Sequence, residues 1–253
     1  MSAESIIDGY YGKVSTRGDF VSRGLPVSFI NPWDSWLQEA ILSSQQQLGK
    51  NWLNCYLTGP IYRFSLASGI CGEQSWLGIM MPSVDSIGRY YPMTIVVQNY
   101  LHTNPFTALQ EATEWFVRAE ELALSSLSEE FDLQLFNQQL AELKIEVFSQ
   151  NDNTQVPAPP LAQHGASQAW QSRLSVGQDI SHVLPRFMDN LLKENCFSYS
   201  VWWTAGSEQV SASLLVCEGL PPFDGIASML DGNWNSWGWE ANRYALSPTN
   251  RSF

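Results

Sequence analysis

The chain is poor in basic residues, holding 13 Lys and Arg against 25 Asp and Glu. Nucleic-acid binding needs clustered cations to replace phosphate counterions, so that partner is disfavoured. Apolar runs are short. None approaches the roughly 20 residues that span a bilayer, and direct membrane insertion is not expected. Met1 to Asp8 carries neither a basic stretch nor an apolar core, so it does not read as a secretory signal and a cytoplasmic location is the expectation. Cysteines are few and scattered, at positions 55, 71, 196 and 217, with no Cys-x-x-Cys pair; each reads as a small buried hydrophobe. His102, His164 and His182 never fall at i, i+4 spacing around a Glu, so no zinc site is legible.

Catalytic patterns are equally scarce. There is no Gly-x-Ser-x-Gly elbow. Gly9-Tyr10-Tyr11-Gly12-Lys13 has two residues between glycines where a phosphate loop has four, and Val14 stands where a magnesium-binding hydroxyl belongs. Arg17-Gly18-Asp19 matches an adhesive tripeptide whose extracellular role does not suit a cytoplasmic chain. The neighbouring pairs Glu120-Glu121 and Glu129-Glu130 diverge by about 100° on a helix and read as solvated surface. No cofactor is implied. The balance favours a binding or regulatory protein over an enzyme.

Aromatic and apolar residues are plentiful: 44% of the chain is hydrophobic and 11 residues are Trp, enough for a substantial core. The acidic excess is uneven. Residues 101–152 hold 10 acids against Arg118 and Lys144 alone, so the helices predicted there should present a negative face.

Asn31 followed by Pro32 predicts a helix start, with Trp33, Trp36, Leu37, Ala40, Ile41 and Leu48 on its buried stripe and Gly49 ending it. Residues 53–57, 61–66, 76–81 and 93–98 read as strands. Asn104-Pro105 opens a second helix and Ser128 a third, with Leu135, Leu140 and Leu143 inward. Residues 149–168 are polar and Pro-rich, the clearest candidate for a flexible loop. A helix near 179–194 should turn Leu184, Phe187, Met188, Leu191 and Leu192 inward, with Pro185 kinking it or moving its start. A hairpin is predicted around Gly206, then a short helix to Leu230 and an aromatic tail that packs back. Interleaved helices and strands without a repeat predict one α/β domain over residues 1–253. Helices should cover both faces of a mixed, partly antiparallel sheet, giving a three-layer α/β/α sandwich.

The most informative segment is Pro82-Ser83-Val84-Asp85-Ser86-Ile87-Gly88-Arg89-Tyr90-Tyr91-Pro92, a polar connection between two apolar strands. Ser83, Asp85 and Arg89 are either an internal loop network, with Asp85 accepting from backbone N–H groups or from Arg89, or a recognition loop acting with Arg63. Read with Gly12-Lys13, Gly18-Asp19-Phe20, Leu25-Pro26, Gly59-Pro60 and Tyr62-Arg63-Phe64, this segment resembles the TagF family, also called ImpM, of bacterial type VI secretion accessory proteins. Two departures are Val14-Ser15, where the family usually carries a proline, and Tyr91, where Phe is more usual. The resemblance marks Lys13, Asp19, Arg63, Ser83, Asp85 and Arg89 as candidate interaction residues, with Gly18 in a tight turn and Asp19 bonded to nearby backbone. It implies the same three-layer fold. It also implies a post-translational repressor that binds the forkhead-associated scaffold protein Fha, without the phosphatase domain fused to some relatives. The alternatives are a hydrolase using Ser83 and a structural subunit of the apparatus.

Overall fold

A computed structural model describes residues 7–99, 104–144, 183–237 and 239. Its elements in chain order are β1 (Asp8–Gly12), β2 (Val21–Arg23), α1 (Val27–Leu48), α2 (Trp52–Leu57), β3 (Tyr62–Leu66), β4 (Trp76–Met81) and β5 (Met93–Gln98). They continue with α3 (Pro105–Glu111), α4 (Thr113–Ser125), α5 (Leu133–Glu142), α6 (Leu184–Asn195), β6 (Tyr199–Thr204), β7 (Ser213–Glu218) and α7 (Ser228–Asp231). The strands form one sheet in the order β2-β1-β5-β4-β3-β6-β7. Every neighbouring pair is antiparallel, which corrects the expectation of a mixed sheet. The connections run as hairpins or cross to another part of the sheet in the opposite sense, so no parallel pair arises.

Alternation along β4 divides the core in two. Leu77, Ile79 and Met81 pack with Met93, Ile95 and Val97 of β5 and with Trp115, Phe116 and Phe136 of α4 and α5. Trp76 turns to the other side, where Phe29, Trp33 and Trp36 of α1 meet Phe64, Val96 and Trp202. Trp33 is the hub: its ring lies 4.9 Å from Phe64 and stacks 6.1 Å from Trp202, and its indole N–H donates to Thr94 Oγ1 at 3.1 Å. Gly78 makes this possible. A Cβ there would sit 2.4 Å from Phe64 Cζ and 2.6 Å from Val96 Cγ1, so only glycine lets the ring cross β4.

Several helix boundaries differ from expectation. α1 begins at Val27, capped by Pro26, and Pro32 lies inside it. Phe29 continues the Trp33 and Trp36 stripe one turn back and is fully buried. Burying that ring is worth about 2–3 kcal/mol, comparable to the roughly 3 kcal/mol cost of an interior proline. Residues 53–57 are helical, not a strand, because Trp52, Cys55 and Tyr56 are buried at i, i+3, i+4 spacing. Asn104 caps α3 through Phe106 N and Thr107 N as expected, but the helix breaks at Ala112 before α4. α5 starts at the Asp132 cap and not at Ser128, which turns Phe136 and Leu140 inward and leaves Leu135 exposed.

Pro185 moves the start of α6 to Leu184, and its burial pattern differs in part from that expected: Phe187, Leu191 and Leu192 are half-buried, but Leu184 and Met188 are exposed while Pro185 and Asp189 are buried. Tyr199 explains this, since its hydroxyl donates to Asp189 Oδ1 at 2.6 Å and pulls the polar side of the helix onto β6. The 206 hairpin forms as β6 and β7, and Trp234 and Trp239 pack against the α1 side of the core. All four cysteines are free, three of them buried, and burial pushes the Cys71 thiol up to about 12. The predicted loop at 149–168 lies outside the described residues. Among the described residues, no helix is long and apolar enough to cross a membrane.

Candidate functional site

Because β1 pairs with β5, Gly12 at the end of β1 lies against Pro92, and the two connections that follow β1 and β4 leave the sheet at the same end. In the second connection Val84 and Tyr90 form a single antiparallel bridge, and the Asp85 N–H donates to the Arg89 carbonyl at 2.9 Å. Gly88, at φ 82°, makes the tight reversal that a side chain would strain.

Asp85 is the centre of the site. Its side chain is fully buried. Oδ1 accepts from the backbone N–H groups of Ile87 (3.1 Å) and Arg89 (2.8 Å). Oδ2 accepts from Lys13 Nζ at 2.6 Å and from Arg89 Nε at 2.7 Å. Burial alone would push this carboxyl up. Only together do the Lys13 ammonium, the Arg89 N–H and guanidinium and the Ile87 N–H outweigh it, and they hold the carboxyl well below the usual carboxylate range. Lys13, itself only 4% exposed, also donates to the Gly18 carbonyl at 2.9 Å and lies 4.6 Å from the centre of the Phe20 ring. Arg89 donates to the same Gly18 carbonyl through Nη2. One carboxylate and one carbonyl thus tie residues 13–20 to residues 82–92.

Ser83 completes the seam. Its hydroxyl donates to the Lys13 carbonyl at 2.8 Å, and its own carbonyl accepts from the Tyr56 hydroxyl at 2.9 Å. Lys13, Ser83, Asp85 and Arg89 therefore converge, and the loop-network alternative describes their contacts. Asp19 does not join them: its side chain is exposed and has no hydrogen bond among the described residues, so the expected bond to nearby backbone is not made. Arg63 lies elsewhere, on the sheet face covered by α3 and α4. It grips Glu120 bidentately at 2.6 and 2.9 Å, with its guanidinium 4.6 Å from the Trp203 ring, beside a cleft of about 340 Å³. Glu120 is accordingly an ion-pair partner and not free surface. Among the described residues no group of His, Cys, Asp and Glu is placed to hold a metal ion.

A second network lies beside the first and escaped the sequence reading. Tyr11 and Tyr91 both donate to Asp34 Oδ1, at 2.7 and 2.5 Å, and Phe20 stacks on Tyr11 at 5.5 Å and meets Tyr91 edge-on at 4.7 Å. Burial and the Asp34 carboxylate raise both phenols well above their ordinary range, so they remain proton donors. The Tyr91 hydroxyl is the group a phenylalanine would lack. Ser15 likewise uses what a proline lacks, its N–H donating to the Ser126 carbonyl at 3.3 Å. The only sequence signal for this network was the Tyr91 departure itself.

Residues 9–143, from β1 through α5, match the model of the TagF N-terminal domain, type VI secretion system-associated. No curated protein matches the chain. Among solved structures, the chain is similar to PA0076 from Pseudomonas aeruginosa PAO1, with 35% identity and a TM-score of 0.66 over 89% of this chain and 94% of that one. A family match across more than half of the chain, joined to this likeness over nearly the whole of it, makes the chain a member of the TagF family of type VI secretion system-associated proteins.

Proposed function

We propose that this TagF-family chain is a cytoplasmic accessory protein of a bacterial type VI secretion system that represses the apparatus after translation by binding the forkhead-associated scaffold Fha. The action is stoichiometric and not catalytic. The observation that carries this reading is the rigid seam at one end of the sheet. Two loops far apart in sequence are locked by the buried Lys13–Asp85 pair and by the exposed Arg89 bound to it, which is how a surface is held ready for a macromolecular partner at low ordering cost. Membership of a secretion-associated family supports a partner within that system. The helices on both sides of the sheet support a three-layer α/β/α reading over one domain.

A Ser83 hydrolase fits the geometry less well. Ser83 is 2% exposed and its hydroxyl proton is engaged by the Lys13 carbonyl, whereas a nucleophile must give that proton to a base and meet substrate. Deleting the gene separates the remaining alternatives: secretion rises if the chain represses and stops if it is a structural subunit. Ser83→Ala should still repress; loss of repression in a folded Ser83→Ala protein would favour the hydrolase. Capture of purified cognate Fha by the purified chain tests the partner directly.

A further inference from the structure

The two ends of the sheet differ. At one end β2 is three residues long and closes on Arg23, whose guanidinium donates to the Asn137 carbonyl. A short strand carrying a cation is one way in which an edge is kept from pairing. At the other end β7 runs six residues without lysine, arginine or proline, and among the described residues its one neighbouring strand is β6. Its apolar side chains are also partly uncovered. Leu215 and Cys217 are buried on the α1 side of the core. On the opposite face Leu214 is 59% and Val216 39% exposed, with Leu214 at the cleft walled by Trp203 and Phe106.

Backbone direction decides what this edge accepts. The Gly219 N–H donates to the Ser198 carbonyl at 2.9 Å. Alternation from that pair along the register turns the backbone groups of Leu215 and Cys217 toward β6 and those of Leu214, Val216 and Glu218 away from it. A row of outward N–H and C=O groups on residues with apolar side chains is completed by another strand.

β7 is itself such a strand. Turned about a two-fold axis through Leu215, a second β7 sets Leu214 opposite Val216 of the other copy, and Val216 opposite its Leu214. Both members of each pair turn their backbone groups outward, so they form the hydrogen-bonded pairs of an antiparallel ladder. Apolar meets apolar on the exposed face, and Glu218, the strand's single charge, faces Ala212. An axis through Val216 would set Glu218 against Leu214. One through Leu214 would run the pairing off the end of the strand.

We infer that β7 is a self-association edge: two copies pair β7 to β7, antiparallel about Leu215, and join two seven-stranded sheets into one. The occupant of the edge is a second copy of this chain, whether or not the chain binds Fha. A net charge of −12 on each copy opposes association, so the dimer should tighten as salt is raised.

Sedimentation of the full chain at rising concentration should show one copy giving way to two by about 100 µM. Leu214→Lys and Val216→Lys change exposed side chains, and their melts should match the wild type. Each is expected to raise the dimer Kd about tenfold. The Leu214→Lys/Val216→Glu variant should recover most of that loss, because across the two-fold each introduced cation meets an introduced anion. Wild type that stays a single copy overturns the proposal. In that case slow hydrogen exchange at the Leu214, Val216 and Glu218 amides would give the edge to another segment of the chain, and capture of Fha by wild type but not by the lysine variants would give it to that partner. A dimer that both lysine variants leave intact lies on another surface and overturns the proposal as well. So does a charge-paired variant that dimerises no better than Leu214→Lys alone.

Discussion

The Lys13 ammonium lies 2.6 Å from Asp85 Oδ2 across 72 residues of sequence, with side-chain exposures of 5% and 0%. A pair this deep is costly to desolvate and more costly to break, because removing one partner strands the other charge.

Lys13→Met should therefore cost about 3 kcal/mol of stability, although Arg89 still pairs with Asp85. In urea denaturation the Lys13→Met/Asp85→Asn double variant should lose clearly less than the sum of the two single losses. Additive losses would mean that the two side chains do not interact.

The cluster also sets an acid limb. In the folded chain Asp85 is held below its unfolded value, so folded protein binds fewer protons there than unfolded protein does. Its stabilisation is complete above about pH 4 and is lost as pH falls below that value. Wild type should lose stability more steeply than Asp85→Asn as pH falls from about 4 toward about 2, as measured by urea midpoints across that window. Parallel slopes would count against a depressed carboxyl.

Tyr91→Phe removes one of the two hydroxyls on Asp34 Oδ1 and leaves the Tyr11 donor in place. A loss of about 1 kcal/mol is expected, read from chemical denaturation, with the fold unchanged. A neutral result would show that water replaces the phenol at no cost.

Gly78→Ala drives a methyl into the Phe64 ring and Val96. It should cost about 2 kcal/mol, and Phe64→Leu in the same chain should recover part of that loss. Thermal melts of the single and double variants decide it; no recovery would place the strain elsewhere.

Residue pattern alone located β3 to β7, the Asn104 cap and the short helix before the tail, because each depends on alternation, punctuation or capping within a few neighbouring residues. It also marked Lys13, Ser83, Asp85 and Arg89 as candidates. It could not rank Arg63 apart from them or see that the Gly18 carbonyl, and not the Asp19 carboxylate, joins the cluster, since those outcomes depend on which strands become neighbours. Pairing β1 with β5 brings Lys13 to Asp85, and packing α4 on the sheet brings Glu120 to Arg63. Tertiary packing likewise turned residues 53–57 into a helix and set the polar side of α6 against Tyr199. Local propensity is worth tenths of a kcal/mol per residue, while burying a ring or pairing a buried charge is worth several times that, so where the two disagreed the long-range contact prevailed.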